Sequence, residues 1–401
     1  MTAVDVAPDE GAFSTVGPPA VGSGAPRDGW HRALVLGATA YIVSRVLVLA
    51  GAGLASARSA TGGLTDVLTA WDGQWYLQVV RDGYPSRVPA GIDSVGRWDE
   101  ARVGFFPLYP LLVDVADRCL PGHEVVAALM VNLVLGAAFV ALVGLLAKAW
   151  FGVGAARRAM VLTAFLPGSF VLSFAYSEAL LLVLAAASLL ALHRRQWILA
   201  GMTAALATAT RPNGLAVVAA CGVAAIVAVQ ERREWRSLVA PALAPLGFVA
   251  FHLYLRLQTG ESGVWFRVQR LVWEEHLTFG GSTAWEMRHF LTDPGRTVDQ
   301  FLTTVTVLAA IALVAVARKV RVPRPAAAYV ATVLVLMVLT STVTARPRFL
   351  YTAFPLIIAL AAWWPWSGRP LARRAWQVLV LASGVGLVAV TALYGAYDAV
   401  P

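Results

Sequence analysis

Four short motifs in this chain combine charged and aromatic residues in a way that could support transfer chemistry. The first, Ala70-Trp71-Asp72-Gly73-Gln74-Trp75-Tyr76, places one carboxylate between two indole rings. Partial desolvation by these rings would raise the pKa of Asp72, which suits a general base. The rings of Trp71, Trp75 and Tyr76 suit the faces of a sugar. The alternative is an aromatic belt at a membrane interface, with Asp72 capping a short helix.

The second motif, Phe174-Ala175-Tyr176-Ser177-Glu178, supplies another carboxylate in a tight turn between two apolar segments. Glu178 could serve only the helix that follows it, because the helix dipole favours an acidic residue in the first turn. It could also join Asp72 in one site. The sequence leaves both interpretations open.

The third and fourth motifs supply arginines. They read Thr208-Ala209-Thr210-Arg211-Pro212-Asn213-Gly214 and Thr344-Ala345-Arg346-Pro347-Arg348-Phe349. A guanidinium group offers several donors suited to phosphate oxygens, and Pro212 would break a helix as at a ligand cavity. The alternatives are an Arg211 that extends to lipid headgroups, and structural pairing of Arg346 and Arg348 with Asp or Glu.

Composition indicates that lipid is the main solvent of the elements that must position these motifs. The chain has 401 residues, 58% hydrophobic and 14% charged, with a mean hydropathy of +0.68, whereas soluble domains are about 45–50% apolar and about 25% charged. The net charge of +9 fits basic cytoplasmic loops and does not require nucleic acid. Cys119 and Cys221 are far apart in sequence, so we expect neither a disulfide nor a metal site from them.

Apolar segments predict an all-α polytopic membrane protein with about eleven transmembrane helices. These segments are 31–57, 123–147, 158–175, 178–193, 197–211, 213–229, 237–257, 300–317, 325–343, 349–366 and 375–397. Residues 1–29 are rich in Gly, Ala and Pro, without the apolar region of a signal peptide, and predict a disordered cytoplasmic tail. Residues 30–401 then form a single integral membrane domain.

The basic residues between these segments predict a cytoplasmic N-terminus. Every second connection is basic and holds Lys148, Arg157 and Arg158; Arg194 and Arg195; Arg232, Arg233 and Arg236; Arg318, Lys319, Arg321 and Arg324; or Arg369, Arg373 and Arg374. The other connections include two long outer loops, 58–122 and 258–299. The first should carry an interfacial helix over 105–116, with Trp98, Phe105, Phe106 and Tyr109 at headgroup depth. This topology puts all four motifs on the extracytoplasmic face.

The chain resembles the PIG-V-like mannosyltransferases over residues 35–366, in both the order and the spacing of its motifs. The matching stretches are Trp71-Asp72-Gly73-Gln74-Trp75-Tyr76, Phe105-Phe106-Pro107-Leu108-Tyr109-Pro110, Ala175-Tyr176-Ser177-Glu178 and Ala209-Thr210-Arg211-Pro212-Asn213-Gly214. Arg346-Pro347-Arg348-Phe349-Leu350 resembles a late motif of the same family. Pro212 stands where many relatives carry serine.

This resemblance implies a GT-C-like helical bundle that inverts configuration as it moves mannose from a polyprenyl-phosphate-linked donor to an acceptor hydroxyl. By the match, Asp72 takes the catalytic position, while the charge and placement of Arg211 and Arg348 suit the donor phosphate. The complete expected set of substrate-binding residues is Trp71, Trp75, Tyr76, Tyr176, Glu178, Arg211, Asn213, Arg346 and Arg348. The acceptor would be a glycolipid or protein, and the high Ala, Val and Arg content suggests a bacterial plasma membrane.

No metal is required by this mechanism. Asp72 and Glu178, with other acids of the outer loops, could hold a divalent cation, but their spacing has no metal-ligand character. The alternative function is a lipid-linked-sugar flippase or transporter. The absence of two related halves and the near absence of acids from helix interiors both count against it.

Overall fold

A computed structural model describes residues 27–58, 62–91, 99–293, 295–341, 346–365 and 370–397, with only the backbone of residues 27, 28 and 99. Of the tail predicted over residues 1–29, residues 1–26 lie outside the described residues. Residues 27–29 belong to the first helix. Trp98, Thr344, Ala345 and Arg369 also lie outside the described ranges. Within the described ranges the chain forms helices and one isolated bridge between Leu277 and Thr340, with no strand.

Seventeen α-helices follow one another within the described part of the chain. They are α1 (Arg27–Arg58), α2 (Leu64–Leu68), α3 (Asp72–Asp82), α4 (Leu108–Asp117), α5 (Glu124–Phe165), α6 (Glu178–His193), α7 (Trp197–Thr208), α8 (Leu215–Arg232), α9 (Val239–Leu243), α10 (Leu246–Thr259), α11 (Val264–Leu271), α12 (Gly281–Thr292), α13 (Val298–Val320), α14 (Arg324–Leu339), α15 (Pro347–Thr352), α16 (Pro355–Trp363) and α17 (Pro370–Gly395). Short 3-10 helices occupy Asp99–Gly104, Pro167–Leu172, Pro212–Gly214 and Trp235–Leu238.

Six helical stretches in the described ranges are long and apolar enough to cross a membrane: Gly29–Arg58, Glu124–Phe165, Pro212–Arg232, Trp235–Thr259, Val298–Val320 and Pro370–Gly395. The helices α6, α7 and α14 are apolar but shorter. The prediction of an all-α polytopic membrane protein is therefore confirmed. Each of the eleven predicted segments falls on helix, although their boundaries differ. The two predicted over 123–147 and 158–175 join in α5, which breaks at Gly152, where φ is 85°.

Close helix packing forms the core of the bundle. The first helix packs along α5 and α17, and α6 lies against α5 and α7. Glycines allow some of these close approaches. A Cβ on Gly247 of α10 would overlap the carbonyl oxygen of Ala205 on α7, so the two backbones meet directly, as is common between membrane helices.

The described parts of the two long connections form short helices, and α11 of the second connection packs on the 3-10 helix Asp99–Gly104 of the first. The helix predicted over 105–116 corresponds to α4, which runs over Leu108–Asp117 and packs on α5. Tyr109 and Val113 of α4 are buried, while Leu111 and Val115 are exposed on the opposite face. This two-faced pattern is the one expected of a helix at a membrane surface.

Candidate functional site

Four charged residues from four motifs form one cluster, which we call the charged quartet: Asp72, Glu178, Arg211 and Arg348. The guanidinium group of Arg348 donates to the carboxylates of both Asp72 and Glu178. Arg211 places Nη1 2.6 Å from Glu178 Oε1 and Nη2 3.6 Å from Asp72 Oδ2. Two carboxylates therefore share two guanidinium groups, and the quartet is neutral as a unit.

The quartet has a buried half and a more open half. The side chains of Glu178 and Arg348 are only 2% and 3% exposed, whereas those of Arg211 and Asp72 are 14% and 25% exposed. Because a charge buried without a partner is very costly, Glu178 and Arg348 need one another. A ligand would therefore meet Asp72 and Arg211 first.

The pKa of the Asp72 carboxyl is lowered in this setting. Burial alone would raise the pKa of its carboxyl, but the positive charges of Arg348 and Arg211 outweigh this effect and hold the pKa below its usual value. The raised pKa predicted from the flanking indoles is therefore wrong. The two indoles are neighbours of Asp72 in the sequence. The two arginines come next to Asp72 only through tertiary packing.

Asp72 begins α3 directly after a strained turn. Trp71 adopts φ 58° and ψ −121°, a conformation that favours glycine, and Gly73 N–H donates to Ala70 O over 3.3 Å. Backbone strain of this kind persists only where the surroundings enforce it. The turn thus fixes the direction in which the Asp72 side chain leaves the backbone.

The end of α17 holds this turn in place. The Trp71 indole N–H donates to Tyr394 O over 2.9 Å, and its ring lies 4.8 Å from that of Tyr397. Gln74 Nε2 donates to the Tyr397 hydroxyl over 3.0 Å. Trp71, which the sequence predicts to contact substrate, thus uses its indole N–H and part of its ring for contacts within the protein. No sequence pattern pointed to Tyr394 or Tyr397, which lie more than 320 positions away along the chain.

The turn before Glu178 is fixed by an asparagine that sequence analysis missed. Asn132, buried within the apolar helix α5, donates to the carbonyl oxygens of Phe174 and Tyr176. The Tyr76 hydroxyl lies 2.6 Å from Ser177 Oγ, which ties α3 to the same turn. A buried amide in an otherwise apolar helix is the signal that could have revealed Asn132.

Aromatic rings surround the quartet. The Tyr176 ring lies 4.6 Å from the Arg348 guanidinium carbon, within the range of a cation–π contact. Trp75, one turn after Asp72, stacks on Phe105 at 6.0 Å and meets the edge of Trp273 at 5.5 Å. The structure therefore places the buried rings of Tyr76 and Tyr176 beside the charged residues, whereas Trp75 contacts the rings of Phe105 and Trp273.

Arg211 follows the end of α7, where Pro212 starts the 3-10 turn Pro212–Gly214. Asn213, half-buried, lies in this turn. Ala209 O accepts a 3.1 Å hydrogen bond from Leu108 N–H and so joins this end of α7 to α4. The break places Arg211 where it can reach both carboxylates.

Arg346 has a different partner from Arg348. Its guanidinium group pairs with Asp299 in the first turn of α13, so the structural pairing that the sequence left open applies to this residue. Among the described residues, no group of three or more His, Cys, Asp or Glu side chains is arranged to hold a metal ion. Both carboxylates of the quartet face guanidinium groups.

Comparisons with known proteins give a likeness of fold. No model of a protein family matches the chain, and no curated protein does. The crystal structure of ArnT from Cupriavidus metallidurans bound to undecaprenyl phosphate matches with a TM-score of 0.50 at 14% identity, covering 93% of this chain and 76% of that one. The oligosaccharyltransferase of Archaeoglobus fulgidus, tethered with an acceptor peptide, matches with a TM-score of 0.46 at 14% identity. The match covers 94% of this chain and only 56% of the archaeal protein. The likeness to ArnT supports the predicted GT-C-like bundle as the fold of this chain.

Proposed function

We propose that this protein is a membrane glycosyltransferase that moves a sugar from a polyprenyl-phosphate-linked donor to an acceptor hydroxyl. The observation that carries the proposal is the partly exposed carboxylate of Asp72, held beside two guanidinium groups. The fold adds support, because the similar ArnT structure is bound to undecaprenyl phosphate. Both a base for a hydroxyl and cations for a phosphate are then available in one place.

In the proposed reaction, Asp72 accepts the proton of the acceptor hydroxyl while that oxygen attacks the anomeric carbon. The new carbon–oxygen bond forms on the face opposite the phosphate, so configuration inverts. The bond from the anomeric carbon to the phosphate oxygen breaks, and its electron pair leaves with the polyprenyl phosphate. Fixed positive charge near the departing phosphate stabilises the transition state.

The two arginines of the quartet take different roles in this proposal. Arg211 is more exposed and lies toward the open half, which suits contact with the donor phosphate. Arg348 is almost fully buried and already donates to both carboxylates. We therefore assign Arg348 to the positioning of Asp72 and Glu178, in place of the phosphate contact expected from the sequence.

Mannose as the transferred sugar rests on the resemblance of the motifs to the PIG-V-like mannosyltransferases. A cytoplasmic N-terminus, with the quartet at the outer surface of a bacterial plasma membrane, rests on the alternation of basic loops. The acceptor would be a glycolipid or a protein with an accessible hydroxyl.

The test is a transfer assay with the purified protein in liposomes. Radiolabelled polyprenyl-phosphate mannose and the matching glucose donor are each supplied with membrane lipid and membrane protein extracts. We expect labelled product with mannose and its loss in the Asp72→Asn variant. Sugar that crosses the bilayer without any product would favour a flippase, and full transfer by Asp72→Asn would remove Asp72 from the mechanism.

A further inference from the structure

A lateral groove between α13 and α14 lies far from the quartet. The two helices follow one another in sequence but make few contacts; α13 packs on α16 and α14 packs on α8. The gap between them is a cavity of about 480 Å³, with Val314, Val330, Leu334 and Leu356 among its apolar lining residues. Arg318 and Arg321 line the same cavity.

The two arginines differ from the neighbouring Arg324 in their ion pairing. Among the described residues, no carboxylate lies within ion-pair distance of Arg318 or Arg321, whereas Arg324, three residues further on, pairs with Glu231 at 3.0 Å. Both unpaired side chains are exposed at the end of α13. The groove thus combines an apolar channel with two uncompensated positive charges at its end.

Helix geometry separates this groove from the proposed donor site. Asp299 pairs with Arg346, which is two residues before Arg348 of the quartet, so this end of α13 lies near the quartet. Arg321, the cap at the other end of α13, is 22 residues further along, which corresponds to about 33 Å at a rise of about 1.5 Å per residue. That distance is close to the thickness of the hydrocarbon core, about 30 Å. One phosphate cannot contact Arg211 and Arg318 together, so the groove belongs to the opposite membrane surface.

The length of the groove fits a lipid of a single leaflet. Its lining residues on α13 run from Val314 to the cap Arg321, which corresponds to about 10 Å of helix. One leaflet contributes about 15 Å of hydrocarbon, half of the bilayer core. A chain that starts at the arginines would therefore occupy most of one leaflet without reaching the quartet.

We propose that this groove binds an anionic glycerophospholipid, with its phosphate on Arg318 and Arg321 and one acyl chain between α13 and α14. Charge complementarity selects an anionic headgroup over a zwitterionic one, because two guanidinium groups face it without carboxylates. The bound lipid fills a gap that the two helices leave between them. This proposal stands independently of the glycosyltransferase assignment.

Native mass spectrometry of the delipidated protein, titrated with phosphatidylglycerol or phosphatidylcholine, tests the proposal. We expect phosphatidylglycerol to bind preferentially, and the double variant Arg318→Gln/Arg321→Gln to bind it about 25-fold more weakly, at about fivefold per lost charge. Arg373→Gln/Arg374→Gln is the matched control, because these exposed arginines do not line the groove. Equal losses in the two double variants would overturn the proposal.

A second pair of variants separates groove binding from surface charge. Ala331→Trp fills the groove and leaves both arginines in place, whereas Ile311→Trp adds the same ring to an exposed face of α13 outside the groove. We expect only Ala331→Trp to weaken phosphatidylglycerol binding, by tenfold or more. No difference between the two would overturn the proposal, as would stronger binding of polyprenyl phosphate than of phosphatidylglycerol by the wild-type protein.

Discussion

Replacing Arg211 by glutamine removes one of the two positive charges of the quartet while keeping a side chain of similar length. Arg211 Nη2 lies 3.6 Å from Asp72 Oδ2, and Nη1 lies 2.6 Å from Glu178 Oε1. The variant leaves two carboxylates with Arg348 alone, so the quartet changes from neutral to a net charge of −1. A donor phosphate would then approach a negative site.

The expected magnitude follows from the exposure of Arg211. Two unit charges about 4 Å apart interact by roughly 1 kcal/mol in water and roughly 4 kcal/mol at an effective dielectric constant near 20. The side chain of Arg211 is 14% exposed. Its interaction energy therefore lies between these two values and closer to the second. Loss of a fixed donor at a developing oxyanion costs about 10²–10³-fold, and we expect kcat/KM to fall within that range.

The pH profile supplies a second, independent measurement. Asp72 must be deprotonated to act as a base, so kcat/KM falls as the pH drops through the pKa of this carboxyl in the free enzyme. Burial raises that pKa, and Arg348 and Arg211 lower it further than burial raises it. Removing Arg211 removes one lowering influence, so the acid limb of kcat/KM should move to higher pH.

Two companion variants show whether the effect is specific to the quartet. Arg211→Lys keeps the charge but not the planar pair of donors, so its loss should be smaller than that of Arg211→Gln. Arg81→Gln, on α3, removes an arginine that pairs with Glu124 at 2.9 Å on an exposed surface and should change kcat/KM less than twofold. The reasoning is refuted if Arg211→Gln keeps kcat/KM within twofold of wild type, or if its acid limb moves to lower pH.

Three further variants test the proposed base, its support and the helix packing. Asp72→Asn should lower kcat by about 10²–10⁴-fold, measured by single-turnover transfer of labelled sugar, and the protein should still fold, because Arg348 keeps Glu178 as its partner. Tyr397→Phe removes the hydrogen bond to Gln74 and should lower kcat about fivefold, the effect of about one hydrogen bond, with KM unchanged; steady-state kinetics beside the exposed control Tyr254→Phe test this. Gly247→Ala forces a methyl group onto the Ala205 carbonyl and should destabilise the protein by about 1–3 kcal/mol, seen as a lower melting temperature, whereas Gly222→Ala, with open space around it, should not.

The gathering of the four motifs could be predicted, but their pairing could not. The regular alternation of basic connections predicts one face for Asp72, Glu178, Arg211 and Arg348, because helix direction reverses at each crossing. Which carboxylate meets which arginine depends on contacts between residues as many as 276 positions apart. The sequence therefore predicted the components of the quartet and missed the low pKa that their arrangement gives Asp72.

Arg346 and Arg348 illustrate the same limit at short range. They are two residues apart in one motif, and their sequence context does not distinguish them. The helix α15 begins at Pro347, so Arg346 precedes the helix and pairs with Asp299, whereas Arg348 lies within it and meets Asp72 and Glu178. The start of α15 at Pro347 thus lies between the two arginines. The arginine before it pairs with α13, and the arginine after it joins the quartet.

In the proposed mechanism, the neutrality of the quartet affects how Asp72 becomes a base. A donor phosphate adds negative charge, and the guanidinium group that it attracts first is that of Arg211, the more exposed of the two. Contact with the phosphate draws this charge away from Asp72 and leaves Arg348 as its main partner. The proton affinity of Asp72 then rises, which strengthens it as a base when the acceptor hydroxyl arrives.

This coupling predicts a difference between two pH profiles of the wild-type protein. The acid limb of kcat/KM reports Asp72 in the free enzyme, and the acid limb of kcat reports it in the substrate complex. We expect the limb of kcat to lie at higher pH than that of kcat/KM, and the gap to shrink in Arg211→Gln, in which the charge is absent from both states. Coincident limbs in the wild type would mean that the donor phosphate does not take Arg211 from Asp72.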